Sequence, residues 1–262
     1  MKRAMPALLL VAALLGAWQR PALAWGSSGH SVVAEIAQRL ISAQTHHTIT
    51  DLLGDSGSLA AISNWADTIA EERPQTRSWH FVNIPYEAAG YDAARDCGPA
   101  PGDSCIVGAM LRLRGVLADR RASQEARADA LRFLVHLVGD AHQPLHCAQR
   151  DHDNGGSTVQ VRFRGQATSL HKLWDFELLD AWSFDWGEHV HQVMRQLPAD
   201  TLPADPAQWV SECHRLAVEV AYDVPLGGTI DEIYEQRAKA AVYRQLGLAG
   251  QRLARLLGEA LR

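Results

Sequence analysis

Nothing in this chain repeats. There is no internal period and no low-complexity tract, which sets aside fibrous and disordered classes. Beyond residue 24 no apolar run approaches the roughly 20 residues that a bilayer-spanning helix needs. Basic residues are in deficit, 25 Lys and Arg against 30 Asp and Glu for a formal net charge of −5. A broad cationic surface for nucleic acid is thereby excluded, and any phosphate recognition has to be local. Cysteine is scarce, four in 262 residues. No two stand at C-x-x-C spacing, so zinc ligation by sulfur is a minor reading. Histidine and tryptophan are plentiful, 12 and 8 respectively, more than packing requires in a chain whose apolar content of 47% is ordinary.

Lys2 and Arg3 precede an apolar stretch from Ala7 to Ala17, and Ala22-Leu23-Ala24 then reads as an A-x-A cleavage signature. Residues 1–24 are thus expected to be a signal peptide, making Trp25 the first mature residue and the protein secreted or periplasmic. Loss of Lys2, Arg3 and Arg20 with no acidic residue moves the formal charge from −5 to −8. In an exported chain four cysteines favour disulfides. Cys97 and Cys105 flank a turn-forming segment from Gly98 to Asp103 and are the favoured pair. Cys147 and Cys213 then either pair across a long loop or stay free.

The dominant period is helical. Ser31–Ala43, Ser58–Glu71, Ile106–Asp119, Gln124–Asp140, Ser169–Ala181, Glu188–Gln196, Pro206–Tyr222 and Ile230–Glu259 carry apolar residues every three or four positions. Only Thr158–Phe163 alternates like a strand, after Asn154-Gly155-Gly156, and predicts a small β-hairpin near 158–165. The expected fold is all-α in one domain, residues 25–262, because the candidate ligands come from both sides of the loop at Pro85–Asp103.

Those ligands are found by spacing. His136 and Asp140, four apart, lie about 40° apart around a helix and one turn along it, on the same side. His171 and Asp175 repeat that interval. Pro144 lacks the amide that would bond the Asp140 carbonyl, so the helix should break there and let His146 turn towards the same centre. His142 points to another face and reads as a supporting or packing residue. Asp67 and His80 each stand beside a tryptophan or one residue from it and add a carboxylate and an imidazole. Two His/Asp pairs plus further imidazoles and carboxylates suit zinc. His46, His47, His152, His189, His191 and His214 read as surface or helix-face residues.

Taken in order, W-G-x-x-G-H (Trp25–His30), W-A-D ending at Asp67, W-H-F (Trp79–Phe81), V-H-L-V-G-D-A-H-Q-P-L-H (Val135–His146), N-G-G (Asn154–Gly156) and L-H-K-L-W-D (Leu170–Asp175) resemble the zinc-dependent single-strand nucleases of the S-one/P-one type. The resemblance spans essentially all of residues 25–262. It implies a mostly helical fold holding three zinc ions. One would take Asp67, His80, His136 and Asp140; a second His146, His171 and Asp175; a third His30, Asp140 and Trp25 through its terminal amine and carbonyl. Asp67 would orient or activate the attacking water.

The substrates the resemblance implies are single-stranded DNA and RNA, cut to 5'-phosphate products, with 3'-nucleotidase activity as a companion. Phe81 stands at the base-stacking position, with Asn83 in place of an aspartate; Asn154 lines the other side, and Ser157 replaces an asparagine. The family arginine is Ala70 here, which leaves Arg73 or Arg77 to supply a phosphate contact. A monomer without stable membrane association is expected. A zinc-dependent phospholipase C of the same superfamily is the nearest alternative, separated by the short Trp25-to-His30 spacing, and an exported zinc-binding protein is a more distant one.

Overall fold

In the computed structural model the described residues are 25–54, 57–98, 104–197, 199 and 205–262. The expected signal peptide, most of the turn between Cys97 and Cys105, and most of the loop at 198–204 lie outside them.

Helix formation follows local chemistry at each start. Helix α1 (Ser27–Leu40) is followed by α2 (Ala43–Leu53), whose N-cap Ser42 accepts from the Thr45 amide and whose end is the left-handed Gly54. The pattern of apolar residues does not reveal α2: its threonines and two histidines hide a buried face of Thr45, Ile49 and Leu52. The helix expected over Ser58–Glu71 is two, α3 (Leu59–Ile62) and α4 (Trp65–Glu72), broken at Ser63-Asn64. A 3₁₀ helix (Pro74–His80) and the short α5 (Ala93–Asp96) lead to α6 (Ile106–Ala118).

Helix α7 (Gln124–Asp140) is capped by Ser123 onto the Ala126 amide and carries Glu125 in its first turn, favourable at the positive end of the helix dipole. From Phe133 to Asp140 every residue is buried, so its second half runs through the interior. Burying each leucine there contributes about 2 kcal/mol before entropy is counted. The chain then turns through a 3₁₀ segment (Pro144–His146), as the proline requires.

The hairpin forms from β1 (Gln160–Phe163) and β2 (Gln166–Ser169), antiparallel with Gln160 opposite Ser169 and Phe163 opposite Gln166. Arg164 and Gly165, both at positive φ, make its two-residue turn. The remaining chain is helical: α8 (Leu170–Lys172), a π turn (Leu173–Glu177) and α9 (Leu178–Trp182) are continuous, followed by α10 (Trp186–Arg195), α11 (Pro206–Leu216) with its own π turn (Ala217–Ala221), and α12 (Glu232–Ala260). Helix α12 packs along α1 and also reaches α7, so the two ends of the described chain close over the buried half of α7. Trp25, Trp174 and Trp209 are fully buried in one apolar cluster with these helices. Among the described residues no helix is long and apolar enough to cross a membrane.

Candidate metal centre

The last two turns of α7 set the site. His136 and Asp140 share its inner face, with His136 Nε2 3.3 Å from Asp140 Oδ2. Between them, Gly139 allows the start of α1 to approach: a Cβ there would stand 2.9 Å from His30 Nδ1. The His30 ring therefore stacks on that of His136, centroids 3.7 Å apart. Its Nε2 lies 3.3 Å from Asp140 Oδ1. The end of the first 3₁₀ helix delivers His80, whose Nδ1 is 2.9 Å from Asp140 Oδ2. Helix α4 brings Asp67, its Oδ1 3.3 Å from His136 Nε2 and 3.7 Å from His80 Nδ1. The two oxygens of Asp140 thus face different imidazoles.

A second group lies beyond it. His171 Nε2 is 3.1 Å from Asp175 Oδ2, and His146 Nε2 is 3.9 Å from Asp175 Oδ1. The π turn at Leu173–Glu177 keeps Asp175 buried beneath the two rings, which are 5.1 Å apart. Gly26 ties the start of the described chain to this group through its amide, which donates to the Asp175 carbonyl at 2.7 Å.

Backbone carbonyls orient three of the rings. His136 Nδ1 meets the Ser63 carbonyl, His146 Nδ1 that of His80 and His171 Nδ1 that of Gly155, each at 2.7 Å. Donation from Nδ1 reserves Nε2, aimed inward, as the nitrogen a metal would take. The Ser63 carbonyl is available because the chain breaks between α3 and α4. Gly155 has φ +62°, and a Cβ on it would fall 2.2 Å from the Leu145 carbonyl oxygen. Only glycine can place its carbonyl against His171.

The buried polar atoms test whether these residues fit zinc. His30 Nδ1 and Nε2, Asp140 Oδ1, Asp175 Oδ2, and the Nε2 atoms of His80, His136, His146 and His171 are enclosed without a hydrogen-bonded partner. Each such atom costs about 1–3 kcal/mol when left unsatisfied. Within His30/Asp67/His136, His80/His136/Asp140 and His146/His171/Asp175, one atom from each residue lies within 4.8 Å of the others. Groups of three nitrogen and carboxylate donors are of the kind that suits zinc.

Charge follows the same geometry. Burial raises the Asp140 carboxyl, but His136, His30 and His80 outweigh it and hold it well below the usual carboxylate range. Asp67 is likewise held low, burial being overcome by His136 and His30. Burial keeps His30 and His146 neutral by lowering them. For His136 and His171 burial is outweighed by the adjacent carboxylates, and both are raised.

The structure brings together His30, Asp67, His80, His136, Asp140, His146, His171 and Asp175, with Trp25 fully buried one residue before the Gly26 anchor. Phe81 is 38% exposed beside His80, and its carbonyl accepts the Ile106 amide at 3.1 Å. Asn83 is half-buried on the same strand-like segment, whose Val82 amide donates to the His146 carbonyl. Asn154 is exposed in the loop that supplies the Gly155 carbonyl, whereas the Ser157 hydroxyl donates to the Asn154 carbonyl at 2.8 Å. Arg73 is engaged with Asp129 at 2.8 Å and lies over Trp65; Arg77 is exposed on the 3₁₀ helix.

Three contributors escaped sequence reasoning. Gln143 caps the 3₁₀ turn through the Leu145 amide while its own amide donates to Asp175 Oδ1. The Ser63 carbonyl is the second. The third is a buried chain in which Glu212 pairs with Arg252 at 2.6 Å, Arg252 donates to His142 Nε2 at 2.8 Å, and His142 Nδ1 donates to the Val138 carbonyl at 2.7 Å. Gln143 left a signal, as a side chain that caps the turn directly before Pro144, and His142 left one as a supporting or packing residue off the ligand face. His189 and His214 are buried against α9 and Pro85, while His47, His152 and His191 are exposed.

An all-α scaffold here gathers buried histidines and aspartates able to hold metal beside an exposed aromatic, an arrangement expected of a metal-dependent hydrolase. The chain belongs to the S1/P1 nuclease family, whose profile matches residues 25–262. It is 34% identical over 178 residues to Nuclease S1 of Aspergillus oryzae (strain ATCC 42149 / RIB 40), covering 65% of this chain and 60% of that protein. Endonuclease 3 of Arabidopsis thaliana is 30% identical over 262 residues, 89% of this chain and 87% of the plant protein. Nuclease P1 of Penicillium citrinum is 29% identical over 269 residues, 90% and 97% of the two chains.

Proposed function

We propose that residues 25–262 form a zinc-dependent phosphodiesterase that cuts single-stranded DNA and RNA to 5'-phosphate products and acts on 3'-nucleotides, exported after loss of residues 1–24. The observation that supports it most is the convergence of inward-facing, unsatisfied imidazole and carboxylate atoms beside Phe81. Three ions would be held: one by Asp67, His80, His136 and Asp140, a second by His146, His171 and Asp175, and a third by His30, Asp140 and the Trp25 amine and carbonyl. The separate facing of the two Asp140 oxygens fits a shared ligand. When bound, zinc supplies Lewis acidity that activates water and the phosphodiester near neutral pH.

The chain's residues then divide the remaining work. Asp67 has 15% of its side chain exposed whereas Asp140 and Asp175 have none, so Asp67 is the carboxylate that reaches incoming water. Being held ionised below the ordinary range, it orients that water by accepting a hydrogen bond from it. Phe81 offers a face for a base. Stacking there requires the base to leave its neighbours, which costs a few kcal/mol in a duplex and less in a single strand. The net negative charge provides no broad attraction to offset that cost. Departure of the 3' oxygen leaves phosphate on the 5' end, and no 2'-hydroxyl is needed.

The test is digestion of single-stranded and duplex DNA and RNA with end-group analysis, before and after chelation and zinc restoration, with phospholipid vesicles as a parallel substrate. Zinc-restored cutting of single strands to 5'-phosphate and 3'-hydroxyl ends is expected. Cyclic 2',3'-phosphate ends, cutting confined to duplexes, or phospholipid turnover in place of nuclease activity would overturn the reading.

A further inference from the structure

Two cysteines take no part in the site. Cys147 directly follows His146 at the end of the second 3₁₀ turn, and Cys213 lies on α11; both are fully buried. That turn and α11 pack against each other, which brings the two free, buried thiols into the same part of the interior. The other polar neighbour of Cys147 is the Ala141 carbonyl, 3.5 Å from Sγ. Leu145, Ala148, Trp209 and Val210 are all buried in the same apolar cluster.

We propose that Cys147 and Cys213 form a second disulfide in the exported protein, fastening the turn that carries His146 to α11. Cys97 and Cys105 are already joined, eight residues apart in sequence, which leaves one intramolecular pairing for the other two. Free thiols on two packed elements have only to close to the about 2.05 Å of a disulfide. The step breaks two S–H bonds and makes one S–S bond. Its two protons and two electrons pass to a disulfide-bearing oxidant, which becomes two thiols. An oxidising export compartment supplies that class of reagent.

Both sulfurs are buried, so the bond, once enclosed, is out of reach of reductants. Its consequence rests on the proposed ligand role of His146. With its turn fastened, His146 keeps the hydrogen bond from Nδ1 to the His80 carbonyl, which joins the two ligand groups.

The experiment is intact mass spectrometry of protein recovered from an oxidising compartment, unfolded in guanidinium with an alkylating agent and no reductant. No alkyl adducts and a mass four hydrogens below the reduced chain are expected, with a proteolytic peptide joining Cys147 to Cys213. Two adducts, or a peptide joining either residue to Cys97 or Cys105, would overturn the proposal. Thiol counting is independent of metal and activity, so it stands even if the nuclease reading fails. In zinc-loaded protein, replacing both Cys147→Ala and Cys213→Ala should hasten zinc release to a chelator roughly tenfold, in the range seen when partners that orient metal ligands are lost.

Discussion

Asp140 is the side chain on which the arrangement most depends, because its two oxygens serve His30 on one side and His80 and His136 on the other. Asp140→Asn removes a negative charge among imidazoles and substitutes an amide that ligates poorly. Loss of one to two zinc ions per chain and of at least about 99% of turnover is expected, an outcome of several kcal/mol in binding. Metal counting beside a single-strand digestion assay reads both, and full zinc occupancy would exclude the shared-ligand role. His142 is a different case. Burial, reinforced by Arg252, holds its imidazole well below the ordinary range, so it is neutral when folded. The unfolded chain takes up a proton below about pH 6.5 that the folded chain refuses, and stability falls with acid at up to about 1.4 kcal/mol per pH unit. His142→Gln should cost about 1–3 kcal/mol at pH 7.5. That deficit should shrink as pH drops to 5.5, because the variant no longer resists protonation at this position. Urea midpoints of both zinc-saturated proteins across that range check the sign, and a widening gap would contradict it.

The helices differ in how plainly their sequences announce them. Helix α7 was legible down to its last residue, because Ser123, Glu125 and the buried run to Asp140 agree with one another and Pro144 enforces the stop. So were the His/Asp pairs, whose four-residue spacing survives even where α8 passes into a π turn, while of the hairpin only the first strand was legible, β2 running past the expected 158–165 to Ser169. The break at Ser63-Asn64 was not, since apolar spacing continues across it; what decides it is the distant His136 ring, which takes the Ser63 carbonyl. Helix α2 was hidden by its polar composition, and Arg252, which donates to His142, lies 110 residues downstream in sequence and is itself paired with Glu212. Pairings of that range leave no local periodicity. Among connecting segments, the loop ending at Gly155 is under the tightest constraint. Gly155→Ala adds a methyl that collides with the Leu145 carbonyl at a φ that side chains avoid. A loss of about 2–4 kcal/mol is expected, together with weakened zinc binding at His146, His171 and Asp175. Thermal unfolding and zinc titration would show both; an unaffected affinity would mean that the Gly155 carbonyl does not govern His171.

Folding and metal loading should be one linked equilibrium. The unsatisfied atoms of the site sit in the interior between α1, α4, α7 and α8, where their desolvation opposes folding until ligands are bound. A zinc site occupied at a thousand times its dissociation constant adds about 4 kcal/mol. At roughly 2–4 °C per kcal/mol for a chain of this size, chelation should lower the melting temperature by more than about 10 °C, and readdition of zinc should restore it. Calorimetry with and without chelator measures this, and an unchanged transition alongside lost activity would show that the scaffold is preorganised independently of metal.

Helix α12 gives the protein a built-in order of events. Every proposed ligand lies between residues 25 and 175, yet α12, at Glu232–Ala260, lies along α1, the helix that carries His30, and lends Arg252 to the turn after Asp140. A nascent chain that already carries all the ligands still lacks the wall that holds them. The ligands carried by the first two thirds of the chain are thus held in place by its last helix.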